Sequence, residues 1–221
     1  MIDFHTHTLL SDGVLVPSEL VRRAENIGYR AIGLADHVDE SNLETVLKAL
    51  LKVTVKLNHF QKTFVIPGAE ITHAPPLEIP ELVRDARRLG AVLVVGHGES
   101  PVEPVADGTN RAAIEAGVDI LAHPGFITYD DARLAAERRV FLEITSRHGH
   151  SLTNGHVARM ALETGARLVI DTDTHTPDDL ITRDRAFQIL IGAGLVEHRA
   201  EEVLKTNEEL LEICRQRLSR R

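Results

Sequence analysis

Two periodicities alternate along this chain. Short continuous apolar runs, which suit strands covered on both faces, are separated by stretches whose apolar residues recur three and four positions apart, which suit helices with one buried stripe. The runs fall at the start of the chain in IDFHTHT, then at 31–35 (AIGLA), 64–71 (FVIPGAEI), 91–97, 118–122 (VDILA), 140–145 (VFLEIT) and 166–172 (ARLVIDT). Pro67, inside the third run, has no N–H for a ladder, so a bulge or bend is expected there. The helical spacing predicts helices over 16–27, 42–59, from Pro80 to a stop at Gly90, 109–116, 129–138 and 154–164, the last with Asn154 as its cap and Gly165 as its stop. A further helix is expected over 177–191, with one or two more to the C-terminus.

Seven strands alternating with helices imply right-handed βαβ crossovers and a parallel sheet, closed or nearly closed as an α/β barrel. The connections are short and leave little room for a second domain or a large lid. Residues 1–221 therefore read as one domain, with the helices from about residue 177 packed on the barrel.

Composition changes this picture only in detail. A hydrophobic fraction of 43% with 26% charged residues is ordinary for a folded, soluble chain. The formal charge of −8 disfavours a broad electrostatic grip on nucleic acid. Cys214 is the only cysteine, which excludes an intrachain disulfide and suits a reducing cytoplasm; its place in ELLEICRQRL reads as a packed helix residue. The N-terminus has no signal-peptide pattern and no apolar run approaches the length of a membrane span, so a cytoplasmic protein with no membrane partner is expected. Arg215, Arg217, Arg220 and Arg221 gather at the end of the chain, where solvated cations suit a helix C-terminus.

The polar residues that interrupt the apolar pattern carry the chemistry. His5 and His7 lie two apart on the first strand and so face the same way, with Asp12 just beyond. His37, Glu70, His97 and His123 each stand at or just past the end of a later strand, and Asp173 and His175 follow the seventh. In a parallel barrel those ends share one rim, where barrel active sites are built. Imidazole and carboxylate together, without thiolate, suit zinc, manganese or iron rather than a structural zinc finger. Nine such residues exceed the need of one ion and point to two or three.

These residues carry a family resemblance. DFHTHTLLSDG, LADH, PGAE, VGHG, AHPG and DTDTH resemble, in order, the metal motifs of the PHP family, named for polymerase and histidinol phosphatase. The resemblance runs from Asp3 to about His175 and implies a distorted seven-stranded TIM-like barrel with a trinuclear metal centre. Carried over residue by residue, His5, His7, Glu70 and Asp173 resemble the ligands of one ion; Glu70, as bridge, with His97 and His123 those of a second; and Asp12, His37 and His175 those of a third, where some members carry a histidine in place of Asp12. Asp171 falls beside the matched Asp173 and is expected to face the same way, in a supporting role.

Clustered divalent ions lower the pKa of a bridging water and neutralise charge on phosphoryl oxygens. The reaction expected is thus metal-dependent hydrolysis of a small phosphomonoester by a metal-bridging hydroxide, with histidinol phosphate the candidate implied by the family and no side-chain acid assigned. Arg147, His148 and His150, after the sixth strand, are candidate substrate contacts, Arg147 through the planar fork that suits phosphate. His73 is a weaker candidate; Ser146 reads as a turn residue, and His59, His156 and His198 as structural or surface residues. Alternatives are a phosphodiesterase or nucleotide phosphatase, disfavoured by the few aromatic side chains available for base stacking, a non-catalytic metal-binding regulatory domain, and hydrolysis of a C–N or C–O bond by the same centre.

Overall fold

The computed structural model describes residues 1–220; Arg221 lies outside the described residues. The strands are β1 (Ile2–Thr6), β2 (Ala31–Leu34), the two-residue β3 (His37–Val38), β4 (Phe64–Ile71), β5 (Leu93–His97), β6 (Ile120–Ala122), β7 (Phe141–Thr145) and β8 (Leu168–Asp171). Between and after them run α1 (Pro17–Asn26), α2 (Leu43–Phe60), α3 (Ile79–Leu89), α4 (Thr109–Ala116), α5 (Tyr129–Arg138), α6 (Asn154–Thr164), α7 (Arg183–Gly192) and α8 (Glu197–Ser219). All neighbouring strands pair in parallel in the order β1-β2-β4-β5-β6-β7-β8, with β3 added on β4. Past the end of β8, Thr174 bridges to Thr6 and accepts from the His7 N–H at 2.8 Å, so the ring is nearly closed. The fold is an α/β TIM-like barrel.

Both faces of the sheet are apolar, for the reason the continuous runs imply. Outward residues such as Ile32, Leu34, Val65, Val94, Leu142 and Ile170 pack with the helix stripes, for example Leu20 and Val21 of α1 and Leu47 and Leu50 of α2. Inward residues, among them Phe4, Ile66, Val95, Ile120 and Val169, form a separate core. That inner core is completed by Leu210, Leu211 and Cys214 of α8, which closes the end of the barrel where the strands begin. Asn207 fastens the same helix, donating to the carbonyls of Ile2 and Ile170 and accepting from the Ile170 N–H. Cys214 is fully buried, and burial pushes its thiol up to about 12, so it serves packing.

Four local expectations are corrected. The helix expected over 177–191 is broken: Pro177–Asp179 forms one 3-10 turn, Leu180 and Ile181 are not helical, and α7 starts afresh behind a Thr182 cap. The turn is held by a capping box in which Asp179 accepts from the N–H and hydroxyl of Thr176. Asn154 does not cap α6; its side chain instead clamps Thr145, donating to its carbonyl and accepting from its N–H. Arg217 is not simply solvated, because it reaches back to the Asp119 carboxylate and the Val92 carbonyl, while Arg215 lies over the Phe64 ring. Pro67 causes no break in β4. Its neighbour Val65 sends its N–H to the Asn58 side chain, and β5 begins to pair only at Gly68, so the missing donor falls where no strand needs it.

Candidate metal centre

One irregularity aims the first two histidines. Asp3 pairs with Ile32 and Thr6 with Leu34, so β1 spends one residue more than β2 over the same span. This β-bulge lets Phe4 join the inner core while His5 and His7 also enter the barrel mouth. Gly33 makes room for it, since a Cβ there would run into the Phe4 carbonyl. On the far side of β2 the chain forms β3, which sets His37 directly beside Glu70 of β4. His97 ends β5, His123 follows β6 and Asp173 follows β8. His123 and Asp173 adopt positive φ, 27° and 54°, a strained conformation for non-glycine residues that is held here by the surrounding strands.

Glu70 is the hub. Its Oε1 lies 3.2 Å from His5 Nε2 and 3.8 Å from His123 Nε2, and its Oε2 lies 2.6 Å from His37 Nδ1 and 3.7 Å from His7 Nε2. Asp173 stands opposite, with Oδ1 3.1 Å from His7 Nε2 and 3.7 Å from His5 Nε2, and Oδ2 3.7 Å from His123 Nε2. Asp12, on the exposed loop after β1, brings Oδ2 within 3.1 Å of His175 Nε2 and 3.5 Å of His37 Nε2. All nine candidate ligands therefore meet at one mouth. Among the groupings whose ligand atoms lie within 4.8 Å of one another are His7, Asp12, His37 and His175; His5, His7 and Asp173; and Glu70, His97 and His123.

The charge states follow from this crowding. Burial opposes charge on His5, but Glu70, Glu143 and Asp173 outweigh it and hold its pKa well above the ordinary value. His37 goes the same way, to about 10, as Glu70 and Asp12 overcome its burial. Burial brings His7 down to about 4, and burial with the neighbouring His97 holds His123 well below its ordinary value. Glu70 and Asp173 are depressed although burial opposes it, chiefly by the charge of His5.

The donor set fits divalent cations. His5 Nε2, both nitrogens of His7, Glu70 Oε1, Asp173 Oδ1 and His123 Nδ1 are buried without an aligned hydrogen bond, although several lie within reach of one another. Leaving so many buried polar atoms unsatisfied is costly, and a divalent cation is a partner that accepts lone pairs from several imidazoles and carboxylates at once. Several imidazoles are also oriented for this. His5 Nδ1 meets Glu143 at 2.7 Å, His97 Nδ1 the Gly98 carbonyl at 3.1 Å and His175 Nδ1 the Asp173 carbonyl at 2.9 Å, which turns each Nε2 toward the neighbouring carboxylates of the mouth.

Among the candidate substrate residues, His150 is brought in and His148 is not. The His150 ring stacks on His123 at 4.1 Å, its Nδ1 pairs with Ser100 Oγ at 2.5 Å, and its Nε2 lies 3.9 Å from Asp173. His148 is exposed and lines, with Arg147, Arg185 and Asp178, a cavity of about 300 Å³ beside the rim. Arg147 stands between the two, its Nη1 3.1 Å from Asp179 and its Nε 4.0 Å from Asp173. Asp171 faces the barrel interior but accepts from the Phe4 N–H, bracing β1 rather than an imidazole. His156 donates its Nε2–H within the scaffold to the Ile127 carbonyl, and His59 and His198 are exposed.

Three contributors escape a reading of the sequence. Glu143 holds His5 and accepts from the His123 N–H at 2.8 Å; a glutamate inside the apolar run VFLEIT is the signal that marks it. Asp36 accepts from the Thr8 N–H and the Ser11 hydroxyl, which fixes the loop bearing Asp12. Glu103, in the loop after β5, has its oxygens 2.9 Å from His97 Nε2, 3.2 Å from His73 Nε2 and 3.4 Å from His150 Nε2.

No family model matches the chain. The uncharacterized protein MJ1295 of Methanocaldococcus jannaschii is 48% identical over 207 residues, which cover 91% of this chain and 94% of that protein. A protein of Caldanaerobacter subterraneus named "probable phosphatase" is 28% identical over 94% of this chain and 87% of its own. Among solved structures, a chain in an archaeal ribonuclease P bound to mature tRNA superposes with a TM-score of 0.71 at 18% identity, covering 97% of this chain and 90% of that one. A Listeria monocytogenes "putative histidinol phosphatase" gives 0.57 at 11% identity, covering 81% and 97%. The structural likenesses concern the fold. Among the described residues, no helix is long and apolar enough to cross a membrane.

Proposed function

We propose that this chain, which belongs to one family with the Methanocaldococcus jannaschii protein MJ1295, is a metal-dependent phosphoric ester hydrolase of the PHP type acting on a small phosphomonoester. The observation that carries this reading is the set of buried, unsatisfied imidazole and carboxylate atoms around Glu70 and Asp173. The name of the remote relative from Caldanaerobacter supports phosphate chemistry in particular.

In this reading His5, His7, Glu70 and Asp173 hold one ion, Glu70, His97 and His123 a second, and Asp12, His37 and His175 a third. Such cations, zinc, manganese or iron, supply acidification of a water and neutralisation of charge on the phosphoryl oxygens. The remaining work falls to the chain. Glu143 keeps His5 in one tautomer, Asp36 holds the Asp12 loop, and Arg147, steadied by Asp179, orients the phosphate. His150, oriented by Ser100, stands beside His123 as a second contact for the ester. The cavity next to Arg147 and His148 receives the leaving group.

Phosphate release is the test. After loading with zinc, manganese or iron, the protein is expected to hydrolyse small phosphomonoesters such as histidinol phosphate faster than nucleotides or phosphodiesters. Phosphate binding with no turnover on any ester would contradict the hydrolase and leave a binding domain.

A further inference from the structure

We infer that Glu103 is a tenth, exchangeable ligand of this centre, a loop-borne carboxylate that occupies the outer face of His97 in the resting protein and gives way to the phosphate of an incoming substrate. The inference rests on the metal-dependent reading above and deepens it, because it concerns how the same site is closed and opened.

Three imidazoles from three different segments turn their Nε2 atoms on this one side chain. They are His97 at the end of β5, His73 just after β4 and His150 after β7, at 2.9, 3.2 and 3.4 Å. His97 Nδ1 is already engaged with the Gly98 carbonyl and His150 Nδ1 with Ser100, so for both rings Nε2 is the atom left for a cation or an anion. His73, His97 and Glu103 form by themselves a grouping with ligand atoms within 4.8 Å, distinct from the grouping of Glu70, His97 and His123 but sharing His97 with it. One Nε2 binds one ion. The two groupings therefore describe a single ion at His97, with Glu70 and His123 on the barrel side and Glu103 on the solvent side.

The way Glu103 is carried differs from that of the residues around His97. Glu70, His97, His123 and Asp173 are buried on or beside strands, whereas Glu103 is about one-third exposed, between Pro101 and Pro104 in a loop whose residues are largely exposed. The loop is pinned at its root, where Ser100 is buried against His150, and its tip is tied only by local turn bonds from Glu103 to Ser100 and from Val105 to Glu103. A carboxylate on such a segment can leave without breaking a strand. Its place also suits a phosphate, because His150 Nε2, with its other nitrogen held by Ser100, faces it beside the ion at His97. Exchanging one anion for another keeps the charge around the ion nearly constant, so neither state strands a bare cation in the mouth.

The test uses the metal-loaded protein with Glu103→Gln, and with His73→Asn as a second variant that leaves the loop carboxylate in place. Metal affinity is read by competition with a chromogenic chelator, and the affinity for inorganic phosphate by calorimetry. Glu103→Gln is expected to release one ion about tenfold more readily, the scale of losing a contact around a metal site. It is also expected to bind inorganic phosphate about tenfold more tightly, as for the removal of a plug that is in place nine-tenths of the time. His73→Asn is expected to weaken the same ion without tightening phosphate. Unchanged metal affinity in Glu103→Gln, or unchanged phosphate affinity, overturns the inference while leaving the hydrolase reading intact; a wild-type protein that binds no divalent ion defeats both.

Discussion

At the residue scale the candidate ligands at the strand ends are legible because they are out of place. A histidine or carboxylate that closes an apolar run is a cost with no return unless something satisfies it. Glu143 is the same kind of anomaly, but one that sits inside its strand rather than at the end, so only the structure reveals that it serves two candidate ligands at once, the His5 ring and the His123 backbone. Replacing it by glutamine keeps the shape and removes the charge that fixes His5. Glu143→Gln is expected to weaken divalent-ion binding about 10- to 100-fold, read by chelator competition, and an unchanged affinity would contradict its role. Glu103 had no such signal: it lies among prolines in ESPVEPVADG, where no periodicity exists for it to violate. Asn154 misleads for the opposite reason. Its position before a helix is the usual one for a cap, yet the same amide serves Thr145 across the neighbouring strand.

At the scale of elements, the strands and most helices follow from spacing, since each buries a continuous run or a single stripe. The segment after β8 does not, because Pro177 with two following aspartates is a start signal that a 3-10 turn satisfies as well as a helix does. Asp179 is then spent on Thr176, His175 and Arg147 rather than on a helix terminus. The bulge in β1 is equally silent in the sequence, for it depends on Gly33 in the next strand. The role of α8 emerges only in three dimensions. Its helical spacing is plain, but nothing local says that Leu210, Leu211 and Cys214 close the barrel. Leu211→Ala is expected to cost about 2–5 kcal/mol in denaturant unfolding of the metal-free protein. Because that helix seals the end away from the ligands, metal affinity of the folded variant should stay as it is. A cost under about 1 kcal/mol, or loss of metal binding with the fold intact, would contradict this division of labour.

For the whole molecule, the parallel barrel turns distance along the chain into proximity, bringing His5 and Asp173 together while α8 stabilises the opposite end. Ions bound to the folded state alone add to its stability by mass action. Chelation is therefore expected to lower the Tm by several degrees, reversibly on return of the metal, and by less as the pH falls, because protons compete for imidazole and carboxylate and the bound ions then contribute less. A Tm indifferent to chelator would mean that the mouth holds no ion. The most direct measurement is an anomalous difference map from crystals of the protein loaded with manganese or zinc. Two or three peaks are predicted within bonding distance of Glu70, Asp173 and the surrounding imidazoles; an absence of anomalous density at that mouth would contradict the account.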